Sequence, residues 1–230
     1  MPKLSKRTRA NMDKAPTAPQ SPEAAFKTLK GFQAPKFDQS IEVSMHLGID
    51  TKQADQQIRG SVSLPKGIGK SKKVIAFCQP DVAKQAMEAG AVKAGGEDLV
   101  AEIEGRFMDF DVAIASPDMM RVVSKLGKVL GPKGLMPSPK NGSVTPKVAE
   151  AVAEFAAGKV EYRADKGGNI HAVIGKMSFP EGDLVENFNH FLATIEKLKP
   201  TTVKGEYVKK IVVSGTMTPG VQIEHVTAAV

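Results

Sequence analysis

The chain has 230 residues, a formal net charge of +7 and a pI near 9.4. It is long enough to bury roughly 70% of its unfolded surface, and its charge favours an anionic partner, nucleic acid or a membrane surface. A single cysteine (Cys78), no tryptophan and 5% aromatics exclude an intramolecular disulfide and a cysteine metal cage, and argue against a platform of stacked aromatic side chains.

No apolar run approaches the roughly 20 residues of a membrane span. The basic N-terminus has no apolar stretch behind it and is not a secretory signal. A cytosolic protein that makes no use of the membrane is the simplest fit. Residues 1–20 carry Lys3, Lys6, Arg7, Arg9 and Lys14 against Asp13, then Pro16 and Pro19. They read as a flexible basic arm. Ser21-Pro22-Glu23 is an N-cap followed by proline at the first helical position, so a short helix is expected to about Lys30, ended by Gly31. Ile41, Val43, Met45 and Leu47 alternate with Ser40, Glu42, Ser44 and His46, the period of a half-buried strand. A second strand is expected over 58–64, stopped by Pro65.

The pattern then changes. Lys73–Phe77 and Phe110–Ala115 are short continuous apolar runs, the mark of strands buried on both faces. Helices are expected over 81–89, 97–104, from the Ser116-Pro117-Asp118 cap to Leu130, and from Pro146 to about Ala157. Alternating short strands and helices predict a parallel sheet with helices on both faces. From Lys159 the first pattern returns. Strands are expected over 159–163 and 170–174 around the turn Asp165-Lys166-Gly167-Gly168-Asn169, then an amphipathic helix over 180–198, then strands over 207–213 and 220–223. The fold class expected is α/β: a discontinuous α+β domain (21–66 with 159–230) carrying an inserted three-layer, Rossmann-like α/β domain (70–157). Two chain crossings, near Pro65–Lys70 and Gly158-Lys159, would act as a glycine-bearing hinge.

Chemistry-bearing motifs are sparse. Gly69-Lys70-Ser71 matches the end of a phosphate-binding loop, but the glycine required five residues earlier is Leu64 and a strand follows. No dinucleotide fingerprint follows either buried strand, so a nucleotide-using enzyme in 70–157 is the weaker alternative. His46, His171, His190 and His225 show no metal-ligand spacing. Cys78 reads as a buried thiol, and Asp109 with Asp111 as a solvated strand end. No nucleophile, base and orienter assemble, so neither a catalytic residue nor a cofactor is expected. Basic residues do cluster. Arg121, Lys125, Lys128, Lys133, Lys140 and Lys147 occur in one stretch with no acid, and Lys197–Lys210 holds five lysines against Glu206. Such runs are either solvated faces or phosphate contacts. The segment Ser214-Gly215-Thr216-Met217-Thr218-Pro219-Gly220 reads locally as a hairpin turn or as a contact surface.

PKFDQSIEVSMHLGID, DQQIRGSVSLPKGIGK, MDFDVAIASPDMM, LGKVLGPKGLMPSPKNGSVT, YRADKGGNIHAVIGKMSF and SGTMTPG occur in this order. Together they closely resemble the bacterial family of ribosomal large-subunit protein one, over nearly the whole chain. The resemblance implies a non-enzymatic, cytoplasmic ribosomal protein of two domains. It implies binding to large-subunit rRNA at the mobile stalk, help in releasing deacylated tRNA from the exit site, and repression of its own operon mRNA. The family's RNA contacts fall on Lys36, Phe37, Ser40 and Glu42, on Lys166, Gly167 and Gly168, and on Thr216, Met217, Thr218, Pro219 and Gly220. These three segments are expected to meet on one face. Small residues would let the backbone reach ribose, hydroxyls would pair with 2′-hydroxyls, and lysines would meet phosphates. Glu42 would accept from a guanine or a 2′-hydroxyl. Two positions depart from the family pattern: Thr218 stands where a glycine is usual, and Gly167 where a threonine or serine is usual.

Overall fold

The computed structural model describes residues 4–105 and 107–225. The chain forms two compact units, one from residues up to Gly69 and from Val160 onward, the other from Lys70–Lys159.

The first unit begins with a helix, α1 (Lys6–Lys14), where a flexible arm was expected. Ser5 caps it by accepting from the Thr8 amide. Asn11 is fully buried; its Nδ2 donates to the Gln33 carbonyl at 3.1 Å and its Oδ1 accepts from the Gln33 amide at 2.8 Å. This two-bond clamp orders a segment whose charge alone suggested a solvated tail; residues 1–3 of that arm lie outside the described residues. Helix α2 (Pro22–Lys30) starts at the expected Ser21 cap and buries Ala25, Phe26 and Leu29. Strand β1 (Ser40–Leu47) buries Ile41, Val43, Met45 and Leu47, as its alternation requires. Strand β2 (Arg59–Val62) is shorter than the predicted 58–64.

The second unit is built on β3 (Val74–Phe77), helix α3 (Pro80–Glu88), β4 (Lys93–Gly95), α4 (Glu97–Glu104) and β5 (Val112–Ala115). Strands β4, β3 and β5 form a parallel sheet in that order, and Val144 adds a parallel bridge to Ala115. The expected helix over 118–130 is broken. Short helices α5 (Met120–Val123) and α6 (Gly127–Leu130) flank a 3-10 turn at Ser124–Leu126. Two causes are visible. The Ser124 hydroxyl donates back to the Arg121 carbonyl at 2.7 Å, and Gly127 lies mid-segment, where it weakens a helix. Ser116 does not cap: its hydroxyl is buried without a partner. Helix α7 (Val148–Ala156) completes the unit. Ile75, Phe77, Ala113 and Ala115 pack on one side of the sheet with α4, while Val74, Ala76, Val112 and Ile114 pack on the other with residues of α7. Strand β4 was missed because three residues ending in glycine carry no period.

The chain then returns to the first unit through β6 (Val160–Arg163), β7 (Asn169–Lys176), α8 (Glu181–Lys197), β8 (Val208–Gly215) and β9 (Val221–Ile223). Strands β7, β1, β8 and β9 form an antiparallel sheet in that order, and β2 pairs with β6 in a separate ladder. Helices α2 and α8 contribute to the core with the buried strand face; Phe26 meets Phe188 edge-on at 6.0 Å between centroids. Asn187 of α8 is fully buried. It accepts from the Lys66 amide and donates to the carbonyls of Gly67 and Ile174, holding residues 66–67 against this unit.

Candidate nucleic-acid interface

The outward side chains of β1 define the middle of an open sheet face. Pairing sets Glu42 between Val173 and Ser214, Ser44 between His171 and Val212, and His46 between Asn169 and Lys210. Two cross-strand hydrogen bonds fix this surface: Ser44 Oγ with His171 Nδ1 at 3.0 Å, and His46 Nδ1 with Asn169 Oδ1 at 2.9 Å. These four side chains are polar, and the half-buried Val173 and Val212 lie on the same face beside Glu42 and Ser44.

At the start of β1 two of the predicted segments meet. The amide and hydroxyl of Thr216 both donate to the Ser40 carbonyl, at 3.1 and 3.3 Å. The Met217 amide donates to Gln39 Oε1 at 2.8 Å. Gln39 is 1% exposed, and its carbonyl accepts from the Met177 amide at 2.8 Å, so one buried residue ties β1 to the ends of β7 and β8. Lys176 Nζ donates to Ser40 Oγ at 2.9 Å. Phe37 and Met217 are left 51% and 52% exposed, apolar groups in water beside the exposed Lys36.

The turn itself clarifies the Thr218 departure. Its hydroxyl accepts from the Gly215 amide at 2.8 Å, and its amide donates to the Gly215 carbonyl at 3.2 Å. The side chain caps the turn instead of reaching outward. Gly220 is required by packing: a Cβ there would lie 2.7 Å from Val212 Cγ1. Pro219, half-buried, completes the connection to β9.

The third predicted segment is elsewhere. Lys166, Gly167 and Gly168 lie at the opposite end of β1, where the Leu47 amide donates to the Gly168 carbonyl at 2.9 Å. Eight residues of strand separate the two ends by about 23 Å. The expectation that all three segments cluster is therefore corrected: the turn before β7 is joined to the other two only along the sheet. Gly168 has φ +78° and a Cβ there would meet the Leu47 carbonyl at 3.0 Å, so glycine is needed. Gly167 is not left-handed; a side chain there would meet Asn169 Nδ2 at 3.1 Å, so the usual serine or threonine requires only a small shift. Asp165 organises the turn. The Asn169 amide and side chain, then the Gly167 amide, hold its carboxyl below the usual carboxylate range, with His171 Nε2 at 3.8 Å.

In the second unit, Arg121, Lys125, Lys128, Lys133 and Lys140 are exposed, while Lys147 reaches Glu150 at 3.1 Å. Lys73 grips Asp109 at 2.6 Å and Lys70 lies 3.6 Å from Asp111, so these carboxylates stand in ion pairs. The amide of Lys73 holds the Asp111 carboxyl below its usual range. Gly69-Lys70-Ser71 leads toward β3 and not into a helix. Cys78 is buried, which pushes its thiol up. Among the described residues no group of three histidines, cysteines or acids could hold a metal ion, and no helix is long and apolar enough to cross a membrane.

Sequence reasoning passed over Gln39. Its signal is parity: it lies in phase with Ile41 and Val43, so a polar residue occupies a core position. His171, which its apolar strand leaves as either a core or a surface-pairing residue, is exposed and pairs with Ser44 across the open face.

The profile of the ribosomal protein L1p/L10e family matches residues 29–219. The large ribosomal subunit protein uL1 of Neisseria gonorrhoeae is 53% identical over 202 residues, 88% of this chain and 87% of the relative. That of Nocardioides sp. is 48% identical over 204 residues, covering 89% and 85%. That of Solibacter usitatus is 52% identical over 203 residues, covering 88% and 86%.

Proposed function

The chain belongs to the ribosomal protein L1p/L10e family and is a non-enzymatic protein of the large ribosomal subunit, and from that premise we propose that the open sheet face of its discontinuous unit binds large-subunit rRNA at the mobile stalk. The observation that carries this reading is that the buried Gln39 anchors the Met217 amide while the Met217 side chain, like that of Phe37 next to Lys36, stays half exposed. An exposed phenylalanine supplies one stacking surface, and a methionine adapts to an irregular one. The surrounding hydroxyls suit 2′-hydroxyls, which both donate and accept. Lys36 and Lys166 meet phosphates. Glu42, flanked by Val173 and Ser214, accepts from a guanine or a 2′-hydroxyl, because a carboxylate repels phosphate.

Two further roles follow the family. The protein assists release of deacylated tRNA from the exit site, with the exposed cations of 121–140 as the contact. It also represses translation of its own operon mRNA by presenting the same sheet face to a messenger that mimics the rRNA site. The two units act as separate domains, the discontinuous one for rRNA and the inserted one for tRNA.

The test is binding to a stalk rRNA fragment and to an unrelated stem-loop across a salt series. The stalk fragment should bind more tightly, with log affinity falling by about 0.7–0.9 per phosphate contact for each tenfold rise in salt. Equal affinity for both RNAs would refute the reading. Met217→Ala should weaken stalk binding without shifting the melting temperature. A destabilised variant with full affinity would return Met217 to a structural role. An operon leader that fails to compete with the stalk fragment would remove the repression role.

A further inference from the structure

We propose that helix α1 positions the Lys36–Phe37 contact: Asn11 locks Gln33 in place, and the docked helix holds the exposed segment 34–37 in the conformation that meets RNA. This rests on the RNA reading above and adds to it a positioning residue, Asn11. Helix α1 lies before the stretch that matches the family profile, 29–219, so the family's contact pattern does not assign it a part.

The clamp acts on the backbone of a single residue. Asn11 is fully buried, and its two bonds take up both the carbonyl and the amide of Gln33, at 3.1 and 2.8 Å. Phe32, 6% exposed, is the last core side chain before the segment. It fixes where the chain leaves the core, and the clamp fixes the direction the chain then takes. Beyond Gln33 run Ala34, Pro35, Lys36 and Phe37, exposed apart from the half-buried Pro35. Among the described residues, 34–37 make no hydrogen bond of their own. The next fixed point is Asp38, whose carboxylate accepts from the Ser178 amide at 3.1 Å and from its hydroxyl at 2.8 Å.

A segment with no bonds of its own takes its conformation from its ends. Holding both ends removes chain entropy before RNA arrives, and affinity gains what binding no longer has to order. With Gln33 released, the free stretch begins at the edge of the core, and Lys36 and Phe37 are oriented from the Asp38 side alone.

Little besides the clamp holds α1 down. The helix reads KRTRANMDK; its apolar residues are Ala10 and Met12, and Met12 is 50% exposed. Among the described residues no α1 side chain belongs to the apolar core. Arg7 adds a penalty, because its Nη1 is buried with no partner. A helix of nine residues is marginal in isolation, and one without an apolar stripe has no face with which to dock. Asn11 therefore decides whether α1 is docked, and docking decides whether Gln33 is fixed.

The experiment compares full-length wild type, Asn11→Ala, Ala10→Pro and the double variant Lys6→Met with Arg9→Met. Each is measured for binding to the stalk rRNA fragment across salt, for hydrogen exchange of the amides in 33–38, and for thermal melting. Asn11→Ala should speed exchange at Gln33 and lower RNA affinity about 2- to 10-fold, the worth of one net hydrogen bond. The slope of log affinity against log salt should not change, because no cation is lost. Ala10→Pro breaks α1 from within and should reproduce both effects. Melting temperatures should stay close to wild type, since neither side chain belongs to the core. The double variant removes two exposed cations of α1 and should bind as wild type does. If wild type discriminates the stalk fragment, and Asn11→Ala and Ala10→Pro free Gln33 yet keep full affinity, the proposal is overturned while the RNA reading stands. Unchanged exchange at Gln33 in both variants also overturns it, because the clamp would then hold nothing. A slope reduced by about 0.7–0.9 per cation in the double variant would make α1 a direct phosphate contact and overturn the positioning role. If wild type does not discriminate, the RNA reading itself fails and the proposal falls with it.

Discussion

Replacing Gln39 with leucine separates the geometry of the interface from the stability of the fold. Gln39 Oε1 accepts the Met217 amide at 2.8 Å, while its Nε2 is buried with no partner. Leucine has similar length and no polar atom. It leaves the part-buried Met217 amide without an acceptor, which costs about 1–3 kcal/mol. It also removes an unpartnered buried amide group, which returns a comparable amount. The two terms nearly cancel, so global stability should change by about 1 kcal/mol or less, or about 2–4 °C in melting temperature for a protein of this size. The turn fares differently. It keeps the Thr216 bonds to Ser40 and the Thr218 cap on Gly215, but loses its link to the core side of the sheet. A local loss of about 1–2 kcal/mol lowers the ratio of ordered to disordered turn about 5- to 30-fold, and RNA affinity should fall by up to that factor, in step with the ordered fraction. The assay is equilibrium binding to the stalk fragment with a melt of the same sample. Unchanged affinity accompanied by a drop in melting temperature well beyond 4 °C would refute the reasoning, because Gln39 would then serve the core and not the turn.

Two other outcomes are expected. Asn187→Leu strips partners from the Lys66 amide and from the carbonyls of Gly67 and Ile174; the urea midpoint should fall by the equivalent of about 2–4 kcal/mol, and a loss below about 1 kcal/mol would mean that water replaces the side chain. The protein's two tyrosines are both raised above the ordinary phenol range by burial, Tyr207 further by its proximity to Tyr162. A native pKa above the unfolded value means that the protonated phenol favours the folded state. That contribution is complete below about pH 10 and is lost as pH rises beyond it. Phenolate absorbance should therefore appear together with loss of circular dichroism, and reversible phenolate formation near pH 10 in folded protein would contradict this.

The elements with a strong local signal were legible before the structure. The alternation of Ile41, Val43, Met45 and Leu47 is the core-facing side of β1, and the unbroken apolar runs at 74–77 and 112–115 are the strands covered on both faces. The Ser21-Pro22 start of α2 was equally clear. What stayed hidden depends on single long-range contacts. Helix α1 is ordered by Asn11 meeting Gln33, 22 residues away, and charge density says nothing about that. The break between α5 and α6 combines Gly127 with a bond from the Ser124 hydroxyl to the Arg121 carbonyl, and no residue pattern announces that bond. For the candidate site, the family resemblance implied three segments meeting on one face, but whether they meet is a matter of register. Pairing of β1 with β7 and β8 sends Thr216 to one end and Gly168 to the other, and no local pattern encodes which end.

That separation changes how a protein with 5% aromatics can recognise RNA. An aromatic platform reads successive bases by stacking on each, and this sheet offers Ser44, His46, His171 and Asn169 across its middle instead, already hydrogen-bonded to one another. Such a face has little with which to grip a flexible strand, since each satisfied pair must be broken before it can bond elsewhere. It can, however, lie against an RNA that is already folded, because a rigid ligand needs few contacts to be held when those contacts are far apart and preorganised. The Gln39-anchored turn and the Asp165-anchored turn are the rigid points, and the polar strip between them matches shape without competing for energy. On the proposed reading, recognition on this sheet depends on the tertiary structure of the RNA. Disrupting the fold of the stalk fragment while keeping its single-stranded sequence should remove most of the affinity.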